Sequence, residues 1–156
     1  MTGILNVSNG GNDSSKSIQG VLVVRPIKTL SIGGTYFKLQ DVKTYGGLIN
    51  FANTAKKLGT LNVTGEFLQS DNGTQKSTLL SGYGEVSPKI LPYLSLVVKY
   101  DTFKPNTDVD YSTKSLTVGF NYKPIPYVKV GLNFHNISQS NLQSHNEVSL
   151  HAQINY

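Results

Sequence analysis

The second half of the chain holds all three histidines, His135, His145 and His151, and among its carboxylates Asp101 and Glu147, side chains of types that do acid–base chemistry. In an alternating strand pattern His135 and His151 share one face on neighbouring strands, and Asp101 and Glu147 fall close by. A histidine beside a carboxylate is a general-base unit. The other use of such residues is hydrogen bonding along a polar sheet face, and the rest of the sequence favours it. There is no GxSxG, no HExxH and no glycine-rich phosphate loop. "GGNDSS" from Gly10 lacks the Lys-Ser/Thr ending of a phosphate cradle. The histidines do not form a zinc spacing, and the absence of cysteine excludes disulfides and thiolate metal sites. The expectation is a protein that is not an enzyme and carries neither cofactor nor metal. "NVT" at Asn62 and "NGT" at Asn72 are chance triplets in a chain rich in Asn, Ser and Thr.

The other charged residues point the same way. Net charge is +5, but the lysines are scattered, which argues against nucleic acid as a partner. Charged residues make up only 15%, against about a quarter in ordinary soluble domains. Arg25, Lys99 and Lys129 fall on the polar side of their segments, as do Glu66, Glu85, Asp101 and Glu147. Charges of both signs on one face predict cross-strand pairs.

The elements that carry these residues are strands. No sustained three-and-four apolar spacing exists, and β-branched and aromatic residues dominate. Ten strands are predicted, roughly at 2–8, 16–26, 30–40, 45–55, 60–70, 76–87, 92–103, 112–123, 127–136 and 146–156. Short turns are expected at Pro26, Lys56, Pro88 and Pro124, and longer polar loops at Asn9, Asp41, Asp71, Lys104 and Ser138. A frame shift in "LSIGGTYFKLQ" suggests a bulge or kink at Gly33–Gly34, and Gly82 and Gly84 suggest another. A meander of this kind forms an up-and-down architecture, and closing it as a barrel removes its edges.

The two faces of each strand differ sharply. In the ninth, Val128, Val130, Leu132 and Phe134 oppose Lys129, Gly131, Asn133 and His135. In the eighth, Leu116, Val118, Phe120 and Tyr122 oppose Thr117, Gly119 and Asn121. In the seventh, Leu94, Leu96, Val98 and Tyr100 oppose Ser95, Val97, Lys99 and Asp101. The polar rows are small residues with isolated charges, where a soluble surface would carry more Lys and Glu. Strands of about eleven residues match the 9–11 that cross a bilayer at a tilt. Aromatics fall toward both strand ends, with Tyr93, Tyr122, Tyr127 and Tyr156 at one. At the other lie Phe37, Tyr45, Phe67, Tyr100, Phe103, Tyr111 and Phe134, as for two headgroup girdles. These features predict an all-β, closed antiparallel transmembrane barrel of about ten strands, one domain over 1–156, with apolar residues outward. A soluble ligand-binding barrel, lipocalin-like or of the fatty-acid-binding type, is the alternative.

The end of the chain, "NEVSLHAQINY", resembles the C-terminal insertion signal of bacterial outer-membrane proteins, with Val148, Leu150, Ala152, Ile154 and Tyr156 in its alternating positions and Tyr where Phe is usual. "LLSGYGEVSPKILPYLSLVVKYDTFKPNTDVD" and "LTVGFNYKPIPYVKVGLNFH" resemble the closing strands of phosphate-selective-type porins over roughly 76–156. Those porins are more than twice as long, and their basic constriction is not recognisable, so no phosphate selectivity is carried over. The resemblance implies an outer-membrane location in a Gram-negative-type bacterium, a lipid bilayer or detergent as partner, and barrel-assembly machinery in cells. Met1 leads straight into "TGILNVS" with no secretory leader, as in a cytoplasmic protein or a mature form restarted with Met. A ten-stranded lumen is close to filled by its side chains. A narrow or plugged pore with a mixed-charge lining is therefore expected, serving as a structural protein or weak passive channel. Its lining residues would be Arg25, Glu66, Glu85, Lys99, Asp101, Lys129, His135, Glu147 and His151. A shortened or engineered porin-derived barrel is a further alternative.

Overall fold

The computed structural model describes residues 2–9, 16–56, 59–105, 111–125, 127–140 and 142–154. Alternating β-branched, aromatic and small polar residues form strands throughout, and no helix occurs among the described residues. The strands are β1 (Thr2–Asn9), β2 (Lys16–Ile27), β3 (Leu30–Leu39), β4 (Val42–Ala55), β5 (Gly59–Asp71), β6 (Lys76–Pro88), β7 (Leu94–Lys104), β8 (Thr113–Ile125), β9 (Val128–Gln139) and β10 (Leu142–Ile154). They form one ten-stranded sheet in chain order, every neighbouring pair antiparallel.

The hairpin ends refine the expected punctuation. Pro26 and Pro124 lie inside β2 and β8, where the ladders lose register between Val24 and Ile27 and between Tyr122 and Ile125. The local sequences match, Arg25-Pro26-Ile27 and Lys123-Pro124-Ile125, and a residue without an N–H is tolerated where the ladder is already broken. The turn after β2 is Lys28–Thr29. The connection at Asp41 is as tight, Gln40–Asp41, with Gln40 at φ 53°. The β5–β6 loop is held by Asn72, whose Oδ1 accepts from the backbone N–H of Thr74 (3.1 Å) and Gln75 (2.7 Å). Gly59 starts β5 at φ +112°, pressed against the backbone of Ser87–Lys89, where a Cβ has no room. β10 begins at Leu142, so most of the loop expected from Ser138 is strand. The bulges expected at Gly33–Gly34 and at Gly82 and Gly84 do not form: the registers run through both places without a break.

Directly paired residues share a face, so the registers define two. One carries Ile32, Tyr36, Tyr45, Ile49, Val63, Phe67, Leu80, Leu96, Val98, Leu116, Val118, Phe120, Leu132, Phe134, Val148 and Leu150, and all of these are exposed. The other carries all five buried described residues: Ser95, Val97, Thr117, Asn121 and Gly131. Of these, Val97 is the lone buried hydrophobic. Among the described residues each strand contacts only its chain neighbours, and no second layer covers either face. The polar face is therefore buried by the curl of the sheet toward it, with the apolar face convex. Phe37 and Phe103 pair with Thr44 and Leu79 on the concave side, so these two leave the expected aromatic girdle.

The curl has a consistent stagger. One row of paired residues runs Val23–Gly33–Leu48–Glu66–Ser81–Asp101–Ser115–Ile137. It starts near the short-turn end of β2 and finishes near the opposite end of β9, the sense of offset that strand tilt gives a curling sheet. The sheet is open, in contrast to the expected closed barrel: among the described residues β1 pairs only with β2 and β10 only with β9.

Candidate functional site

The concave face from β6 to β10 is a lattice of short polar side chains, each set by alternation on its strand. Glu85 takes hydrogen bonds from the Tyr83 hydroxyl (2.7 Å) and the Ser95 hydroxyl (2.5 Å). Asp101 accepts from Ser81 (2.6 Å) and pairs with the Lys99 ammonium at 2.8 Å. His135 bridges three strands, with Nδ1 2.8 Å from the Thr117 hydroxyl and Nε2 2.7 Å from the Ser149 hydroxyl. A neutral imidazole donates at one nitrogen and accepts at the other, and a rotatable hydroxyl serves either role, so this bridge suits both tautomers.

Next to it lies a reciprocal arrangement. β8 carries Gly119-Phe120-Asn121 and β9 carries Gly131-Leu132-Asn133, and the ladder pairs Gly119 with Asn133 and Asn121 with Gly131. Each amide thus packs over the glycine opposite. A Cβ on Gly119 would collide with Asn133 Oδ1 and the Leu132 carbonyl, and one on Gly131 with Asn121 Oδ1 and the His151 ring. Both Asn Oδ1 atoms are buried without a hydrogen-bond partner. Their position against glycine backbone is that of a Cα–H···O contact, a weak bond. This gives a directional prediction. Gly131→Ala should cost roughly 1–3 kcal/mol by overpacking. Gly82→Ala, where a Cβ meets nothing closer than the Tyr100 carbonyl at 4.0 Å, should be neutral or stabilising. Urea denaturation of the two variants checks it, and equal losses would refute the role given to Gly131.

The expected lining residues divide accordingly. Glu66, Lys99, Asp101, Lys129, His135 and His151 all line hollows on the concave face. Lys129 and Lys123 also act electrostatically on Glu85. Glu147 shares this face by register but interacts with His145 on its own strand, at 3.1 Å. Arg25 is exposed beside the break in β2 and lines none of these hollows. Of the terminal apolar residues, Val148, Leu150, Ala152 and Ile154 are all exposed on β10; Tyr156 lies outside the described residues. Of the partners, Ser95, Thr117, Asn121, Asn133 and Ser149 fall in the polar rows that alternation defines, without a role assigned to them, and Tyr83 is an addition of the structure. The paired strings "VGFNY" and "VGLNF" carried the signal for the two asparagines.

Chemically, Asp101 is engaged with Lys99 and Ser81, and the His135 nitrogens are taken by hydroxyls. Ser149 and His135 stand as a hydroxyl and an imidazole do in a nucleophile–base pair, but the group orienting the ring is the neutral Thr117 and not a carboxylate. No cluster of three or more His, Asp or Glu residues able to hold a metal occurs among the described residues. The hollows form a trough. One of about 280 Å³ lies over β6–β10 and shares Tyr83, Lys99 and Asp101 with one of about 470 Å³, which shares Glu66 with a third of about 190 Å³ over β2–β5. No protein-family model, curated protein or solved structure matches the chain.

Proposed function

We propose that the chain is a porin-like transmembrane β-barrel of an outer membrane, closed by pairing of β1 with β10. The convex face meets lipid and the concave face lines a narrow or plugged lumen, so the protein acts as a structural element or weak passive channel. One observation carries this reading: the apolar row is exposed from β2 to β10 while the buried residues sit in the polar row. In water a single sheet must bury its apolar face against something, and a monomer rarely exposes more than a few hundred Å² of contiguous apolar surface. Across a bilayer the same arrangement satisfies both solvents. Strands of up to 14 residues, as in β4, are long enough for a tilted crossing of about 9–11 residues. The soluble ligand-binding barrel needs the opposite orientation, with apolar side chains inward.

The lumen chemistry follows from the polar lattice. On the β6–β10 wall three lysines, Lys99, Lys123 and Lys129, face three carboxylates, Glu85, Asp101 and Glu147, which leaves little net field to select anions or cations there. The chain should therefore require detergent or lipid to fold, and folded protein should migrate differently from boiled protein on a gel. A monodisperse folded monomer without detergent would end this reading.

A further inference from the structure

Four carboxylates line the middle of the concave face or its β10 edge, and three are satisfied. Glu85 is held by Tyr83 and Ser95, Asp101 by Ser81 and Lys99, and Glu147 by His145. The fourth is Glu66, half-buried in the middle of β5. Its neighbours across the ladder are Leu48 and Ser81. Leu48 has nothing to donate, and the Ser81 hydroxyl goes to Asp101. Two residues back along β5, Thr64 accepts from the Asn50 amide, and its own hydroxyl proton does not reach Glu66. Among the described residues no hydrogen bond or ion pair reaches the Glu66 carboxylate.

Glu66 also stands where the face changes character. On one side is the hydroxyl- and charge-lined hollow with Thr64, Ser81, Tyr83, Lys99 and Asp101. On the other is the 190 Å³ hollow, walled by Val21, Val23, Leu48 and Thr35 and floored by Gly33, with Glu66 its one charged group. Gly33 makes the space: it lies in the same row as Val23, Leu48 and Glu66, and any side chain there would enter the hollow. An apolar pocket of this size with an accessible carboxylate at one end that no protein group pairs suits a ligand with an apolar body and a cationic head. The apolar part removes hydrocarbon from water, and the head supplies the charge-assisted hydrogen bonds Glu66 lacks.

We infer that Glu66 and the β2–β4 wall form a binding site for a small amphipathic cation, a primary alkyl- or arylammonium, on the lumen side of the sheet. The site deepens the proposed function, since it rests on the concave face being the lumen. An isolated carboxylate in a constricted lumen would bind such solutes preferentially and slow their passage, while neutral and anionic analogues gain nothing from it.

The test uses the whole folded chain in detergent, its fold first established by the heat-dependent gel shift. The Val21, Val23 and Leu48 methyl signals are then followed by NMR during titration with n-butylammonium, n-butanol or butyrate. The expected order is butylammonium over butanol over butyrate, with shifts confined to those methyls and the β5 amides around Glu66. Glu66→Gln should weaken butylammonium binding roughly ten- to a hundredfold, the worth of a charge-assisted bond, and leave butanol unchanged. Val23→Thr, nearly isosteric, should weaken both. Equal binding of the three probes by unmodified protein, or shifts centred on Lys99 and Asp101, overturns the inference without needing a variant. Failure of the gel shift in a protein that folds without detergent overturns the lumen reading instead, and the same titration in water then decides whether Glu66 binds the cation.

Discussion

Leu132→Arg should cost the folded protein about 2–4 kcal/mol in a bilayer or micelle, the penalty for a cation near the midplane on a lipid-facing barrel surface. Ser115→Arg should cost far less. Leu132 lies in the middle of β9 on the convex face, opposite Phe120 and Leu150, with no polar neighbour to reach. Ser115 lines the concave hollow directly across the ladder from Asp101, where a guanidinium finds a carboxylate. Urea titration of refolding into lipid vesicles measures both. A soluble barrel with an apolar interior would also lose stability from Leu132→Arg, so accessibility separates the cases. A lone cysteine at 132 should react with a lipid-soluble probe and resist a water-soluble one. Fast reaction with the water-soluble reagent in the folded protein would show that the convex face meets water.

That contrast rests on information the sequence carried well. Alternation assigned each strand from β5 to β9 to within a few residues, because side-chain period two survives whatever packs on the sheet. Three features were less legible, for physical reasons. Proline cannot donate into a ladder, so Pro26 and Pro124 read as turns in the sequence, but a bulge removes that requirement locally and the strand continues to Ile27 and Ile125. Gly33–Gly34 looked like a frame shift because Ile32 and Phe37 sit on opposite faces. The register is in fact continuous, and Phe37 is an aromatic on the concave side. The site itself was half visible. Its ionisable members fell out of the alternation, but their partners did not. Lys99 stands two residues from Asp101 on β7 itself, but that Ser81 meets Asp101 and that Thr117 and Ser149 meet His135 depends on offsets of one or two residues between strands, which the pattern of faces leaves undetermined. Glu66 shows the same gap from the other side: its place in the polar row was readable, while its lack of a partner depends on the Ser81 hydroxyl turning to Asp101 across the next ladder.

The second large effect concerns the open edges. A ten-stranded barrel with strands tilted by about 35–45° has a shear of roughly 10 to 14, and about 12 at the middle of that range, for spacings of ~3.4 Å along and ~4.8 Å between strands. Thr2 joins the row through Val23, Glu66 and Asp101 that ends at His145 on β10. Closing that row with a shear of about 12 places Asn6 opposite Gln153, whereas a shear of about 10 places it opposite His151. Directly paired strand residues have Cα atoms about 4.5–5.5 Å apart, within disulfide range. Because the chain has no cysteine of its own, the double variant Asn6→Cys with Gln153→Cys reports this register alone. Mild oxidation should cross-link it within one chain, detectable as faster migration of the unfolded protein on a non-reducing gel. Asn6→Cys with His151→Cys should oxidise much more slowly. Tying ends this far apart in sequence should raise unfolding stability by roughly 5 kcal/mol on the chain-entropy account. A disulfide formed only between two chains would mean that a second copy occupies the β10 edge, and the single-chain barrel would have to be abandoned.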